Sequence, residues 1–178
     1  DLPGEWYLKR ETGMLYVWPP EGAGTLMIPV LETAAVQFDK VSHVTVHGFG
    51  IEGGRGRGIE IAGGVSNRVT ACEIRNIGYE GVAVTGGAGH RVAGCDIHDT
   101  ASGGILLDGG DRRKLEPAGH AAENNHIHHV SYRGARYAPL VIRGVGNRAA
   151  RNLLHHIPHV VVNFTGNDHL MEGNEIFL

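Results

Sequence analysis

The sequence predicts an all-β fold: a right-handed parallel β-helix, or solenoid, of about six coils with an N-terminal β-hairpin. Three observations carry that expectation. Four short alternating stretches, Val36–Asp39, Ile59–Ala62, Val82–Thr85 and Ile105–Asp108, begin at successive intervals of 23, 23 and 23 residues. Glycine pairs close three of them, at Gly63-Gly64, Gly86-Gly87 and Gly109-Gly110. A second periodic set runs in phase with the first and places Cys72, Cys95, Asn125, Asn152 and Asn174 in one column. Amides repeated once per coil can hydrogen-bond along the stack, each to the next.

Each stretch alternates apolar and variable residues, the two-residue period of a strand with one face buried. Two further strands follow at looser spacing, Leu140–Arg143 and Val160–Asn163. The interval from Ile105 to Leu140 widens to 35, and the extra residues lie in Asp111–Gly119 and Ser131–Tyr137. Insertions of this kind leave a solenoid as loops. With neighbouring strands ~4.8 Å apart, six coils make a rod of about 29 Å. No segment keeps a helical period for three turns. Before the repeat, Glu5–Leu8 and Met14–Trp18 flank Glu11-Thr12-Gly13, and Pro19-Pro20 ends the second run. That pattern reads as an antiparallel hairpin, placed to cover a side or end of the solenoid. Residues 1–33 are therefore expected to be hairpin and lead-in, and residues 34–178 the β-helix.

Composition narrows the function. The chain has 178 residues, 28 of them glycine, and a formal net charge of −3 with no dense Lys/Arg block. Nucleic acid is excluded as an expected partner on that ground. No apolar run approaches the ~18 residues of a membrane-spanning helix, so no membrane is expected either. The chain starts at Asp1 rather than Met and stops in mid-repeat at Leu178, and we expect it to be a section of a longer protein. A last coil with an unpaired edge is expected to associate end to end with another molecule or to be disordered. Cys72 and Cys95 make no disulfide framework, and stacked one above the other they are expected to stay free thiols.

Several segments resemble a known family. Gly4–Leu8, Thr12–Tyr16 and Trp18–Pro20 resemble the segment preceding the β-helix in large bacterial right-handed parallel β-helix proteins. Gly109–Arg112, Glu123–His128, Gly144–Asn147, His155–His159 and Gly166–Leu170 resemble the coils that follow. That family includes glycoside hydrolases and shares its fold with pectate lyases. The resemblance implies a carbohydrate-active protein, extracellular or periplasmic, with a polysaccharide or oligosaccharide as partner. A non-catalytic solenoid that binds glycan or only builds structure stays open beside it. No cofactor is expected.

Strand alternation maps the outward face. One outward column is expected to hold Gln37, Glu60, Ala83, Leu106, Val141 and Val161, and the other Asp39, Ala62, Thr85, Asp108, Arg143 and Asn163. The second is polar over four successive coils, as a saccharide groove would be. Thr85, Arg143 and Asn163 are its substrate-binding candidates, joined by Tyr132 and Tyr137 from the inserted loop, which can stack on sugar faces. Asp108 and Arg143 are expected ~4.8 Å apart along the column, an arrangement suited to acidic sugars. The catalytic candidates are Asp39, Glu60 and Asp108. Asp39 and Glu60, on adjacent coils and two positions apart, should stand roughly 8 Å from each other, inside the ~6.5–9.5 Å window of an inverting glycosidase. A lyase would want a Lys or Arg base and often Ca²⁺ ligands, and no carboxylate cluster on these strands has that form. Seven of the twelve histidines fall between His120 and His159. Columns of His98, His128 and His155, and of Asp99, His129 and His156, are expected to be turn residues whose ligand atoms fan out in parallel, and no metal is assigned to them.

Overall fold

A computed structural model describes residues 2–22, 24–132 and 137–177 of the chain. Strands β1 (Trp6–Lys9) and β2 (Met14–Val17) form the antiparallel hairpin, paired from Trp6↔Val17 to Lys9↔Met14. The remaining eighteen strands make three parallel six-stranded sheets, each taking one strand from every coil. Coil one is β3 (Val36–Asp39), β4 (Thr45–His47) and β5 (Gly50–Gly54); coil two is β6 (Ile59–Ala62), β7 (Arg68–Thr70) and β8 (Glu73–Ile77). Coil three is β9 (Val82–Thr85), β10 (Arg91–Ala93) and β11 (Asp96–Thr100); coil four is β12 (Ile105–Gly109), β13 (Ala121–Glu123) and β14 (His126–Val130). Coil five is β15 (Leu140–Val145), β16 (Arg148–Ala150) and β17 (Leu153–His155); coil six is β18 (Val162–Asn167), β19 (Leu170–Glu172) and β20 (Glu175–Phe177). The sheets are named first, second and third after the order of their strands within a coil.

The core is the stack of inward positions. Ile59, Ile61, Val82, Val84, Ile105, Leu107, Leu140 and Ile142 of the first sheet are at most 1 % exposed. They meet Val69, Val92 and Ala122 of the second sheet and Ile74, Ile97, Ile127 and Leu154 of the third in one cluster. Each fully buried Ile or Leu contributes roughly 1.5–3 kcal/mol by leaving water. In coil six, Phe164, Met171 and Ile176 take the inward positions opposite Ile142, Ala149 and Leu154 and are exposed.

Left-handed residues turn the chain at repeated places in each coil. Gly48, Ala71, Gly94, Asn124, Arg151 and Gly173, all at φ between 51° and 71°, bend it from the second sheet into the third. Cys72, Cys95, Asn125, Asn152 and Asn174 come next, and the expected ladder is present: the Cys95, Asn125 and Asn152 backbone N–H groups each donate to the Asn Oδ1 of the following coil at 3.0 Å. The Nδ2 groups of Asn125 and Asn152 donate along the same stack at 3.0 and 2.9 Å. His43, Ser66, Gly89, Gly119, Gly146 and Asp168 are left-handed before the second sheet. After them runs a second ladder that the sequence reading missed, Val44, Asn67, His90, His120, Asn147 and His169. The backbone N–H groups of the first five each donate to the Asn oxygen or His Nδ1 of the next coil at 3.0–3.3 Å.

One register differs from expectation. β18 begins at Val162, two residues after the expected Val160, and pairs Leu140↔Val162 and Arg143↔Thr165. The slip keeps every side chain on its face, because it is even. Glycine fixes it: Gly109, Gly144 and Gly166 share one register position, and a Cβ on Gly144 or Gly166 would collide with the carbonyl oxygen of the glycine below. The hairpin is largely exposed, while the lead-in lies over the turn from the third sheet to the first, where Leu31 O accepts from Arg55 and Gly56.

Candidate functional site

The turns from the third sheet back to the first line one side of an elongated cleft of about 1150 Å³. Its floor comes from four consecutive turns, with Gly53 to Arg55, Asn76 to Tyr79, Asp99 and Ala101, and Tyr132. Its other wall is the N-terminal segment, with Trp6, Met27, Pro29 and Glu32. Four turns at the strand spacing span about 14 Å along the solenoid axis. Trp6 and Tyr132 are exposed at 69 % and 63 %, and Tyr79 is also exposed. Asp99 and Asn76 line the cleft from left-handed positions in the third sheet, a conformation that Asn and Asp tolerate best after glycine. Asp99 Oδ2 lies 2.7 Å from His98 Nδ1, and burial together with Asp99 pushes the Tyr132 hydroxyl pKa up. Glu32 pairs with Arg55 at 2.8 Å on the rim.

The expected site residues separate into two groups. Thr85, Asp108 and Arg143 share an outward column of the first sheet as expected, with Asp39 at its start. Asn163 does not: the register slip places it opposite Val141 in the other column, and Thr165 takes the position beside Arg143. Asp108 and Arg143 are register partners, yet among the described residues no ion pair joins their side chains. Glu60 is held by Arg57, whose Nη1 lies 2.6 Å from it and whose Nε lies 2.9 Å from Glu80, leaving Glu60 ion-paired and half-buried. Asp39 is exposed on the first coil. The Asp111–Gly119 insertion is a compact turn closed by Asp111↔Glu116 pairing. In the other insertion Tyr132 reaches the cleft and Tyr137 is half-buried, while residues 133–136 lie outside the described residues.

The third sheet carries a cluster that parallel fanning does not describe. His98, His128, His155 and Phe177 share one register column and their rings stack at 4.8, 5.1 and 4.9 Å, within 9° of parallel. Asp96 and His126 are register partners in the next outward column. Left-handed His129 and His156 stack beside them at 4.6 Å. Two neighbouring columns lean together here: His128 Nε2 and His126 Nδ1 both stand 3.2 Å from Asp96 Oδ1. Burial first, and then the imidazoles around them, hold the pKa values of His128 and His155 below the usual histidine range. Spacing showed the columns, but only the coordinates show which side chains converge.

Residues 34–117 match the family described as Right handed beta helix region. The match spans just under half of the chain. It covers coils one to three and the opening of coil four, and coils five and six continue the same three sheets in register. No curated protein and no solved structure matches the chain.

Proposed function

We propose that this β-helix binds polysaccharide in the cleft between its N-terminal segment and the turns. The observation that carries the reading is the cleft itself, about 1150 Å³, running across four coils with Trp6, Tyr79 and Tyr132 among polar groups. Aromatic faces stack on the apolar faces of sugar rings, and Asn76, Asp99, Glu32 and Arg55 supply hydroxyl partners. A trough along the solenoid axis suits a linear polymer better than a compact small molecule. The outward column Thr85, Asp108 and Arg143 lies on the first sheet, and Arg143, which pairs with no acidic side chain among the described residues, favours uronates. An extracellular or periplasmic location belongs with this reading.

Hydrolysis is a separate activity, with Asp39, Glu60 and Asp108 as its acid–base candidates. Register spacing keeps Asp39 and Glu60 about 8 Å apart, but Arg57 already occupies the Glu60 carboxylate at 2.6 Å, which competes with a substrate for it. Binding with little or no turnover is therefore expected. A glycan array read together with a reducing-sugar assay tests both halves. The expected outcome is binding to anionic glycans, weakened by Arg143→Ala far more for uronates than for neutral sugars. Robust hydrolysis surviving Asp39→Asn, Glu60→Gln and Asp108→Asn would overturn the catalytic assignment, and an empty array would overturn the binding one.

A further inference from the structure

We propose that Asp96, His126 and His128 form a binding site for one divalent transition-metal ion of the zinc and copper class. Among the described residues, one ligand atom each from Asp96, His126 and His128 lies within 4.8 Å of the other two. Two of the three separations are 3.2 Å. Tetrahedral bonds of about 2.0–2.1 Å put their donors roughly 3.4 Å apart, so these two edges already have the required length. Two imidazole nitrogens and one carboxylate oxygen suit zinc, copper, nickel or cobalt, whereas calcium and magnesium require more oxygen ligands. The site opens outward, with His126 and Asp96 half-exposed, which leaves the remaining coordination positions to water or a ligand. The nearest cation in the His98–His128 column, Arg75, is tied to Glu52 and Glu73 at 2.7 and 3.1 Å.

The outer ring of partners distinguishes this cluster from a chance group of surface histidines. A metal-bound imidazole needs an acceptor for its other N–H. His126 Nε2 faces His155 Nε2 at 2.7 Å, and His128 Nδ1 faces His129 Nδ1 at 2.7 Å. His155 Nδ1 in turn faces His156 Nδ1 at 2.5 Å. Without metal, a single neutral tautomer assignment satisfies every one of these contacts: protons point from His156 through His155 and His126, and from His129 through His128, toward the Asp96 carboxylate. With metal in place of those last two protons, both chains reverse. His126 then donates to His155, His155 to His156, and His128 to His129. Each imidazole changes tautomer while staying neutral, so both ligand rings keep an acceptor for the second N–H.

Titrating the metal-stripped, tag-free chain with ZnCl₂ by calorimetry tests the proposal. One zinc per chain is expected, with no heat from CaCl₂. His126→Gln and His128→Gln should each weaken zinc binding about 100-fold, and His155→Phe, which keeps the ring stack but removes the acceptor, about tenfold. His47→Gln, on the second sheet, should leave it unchanged. In the unsubstituted chain, zinc should protect His126 and His128, but not His47, from acylation by diethylpyrocarbonate, a readout independent of whether any variant folds. Unchanged affinity in the His126→Gln/His128→Gln double variant, or equal protection of His47, would overturn the site.

Discussion

Single histidines in this chain do opposite jobs according to burial. His90 and His120 are fully buried and their rings stack at 5.0 Å, each Nδ1 accepting a backbone N–H from the preceding coil. Burial, reinforced by His90, lowers the His120 pKa to about 4, and burial lowers that of His90 as well. An unfolded chain takes up these protons near pH 6.5, so the folded state loses stability as pH falls from there to about 4. Above pH 6.5 both states are neutral and the contribution is complete. For His120 the effect is on the order of 3 kcal/mol. His120→Asn preserves the acceptor, as Asn67 and Asn147 do in other coils of the same ladder, and removes the titration. Urea unfolding at pH 7 and pH 4.5 should show a smaller stability difference in that variant than in the parent. An equal difference would remove His120 from the account.

At the scale of strands and turns, most of the fold was legible because the solenoid repeats its constraints. The 23-residue intervals gave the first-sheet strands of coils one to four, and the Asn column gave the turn into the third sheet. The second ladder was hidden because its members alternate between Asn and His, whose shared property is an acceptor at the right reach rather than a residue type. The sixth strand was misplaced because Val160, Val161 and Val162 fit either frame. The 22-residue interval repeated in Gly144–Gly166 and Asn152–Asn174 carried the right one. Two substitutions test these devices. Asn152→Leu takes the acceptor from both amide groups of Asn125 and should cost more than about 1 kcal/mol in thermal or urea unfolding. Gly144→Ala meets a left-handed φ of 90° and the Gly109 carbonyl at once, and should cost at least about 2 kcal/mol. A tolerated alanine would mean that the two coils can separate without loss.

For the whole molecule, the solenoid turns a local repeat into three long faces, and the chain uses them differently. The first sheet presents the mixed column that the sequence assigned to saccharide, the third presents the histidine cluster, and the turns between them meet the hairpin at the aromatic cleft. That cleft was not legible beforehand. Tyr132 was singled out as a sugar-stacking residue, but Trp6 was read only as part of a hairpin, since nothing in local spacing shows where a hairpin docks. The glycan-binding account therefore stands most directly on Trp6 and Tyr132. Calorimetric titration of the preferred array glycan into the parent chain, Trp6→Ala and Tyr132→Ala measures it. Each alanine should weaken binding by about tenfold or more while the folded baseline is unchanged, as expected when a ring stacked on a sugar is lost. Affinity equal to the parent in both variants would contradict the cleft as the binding site.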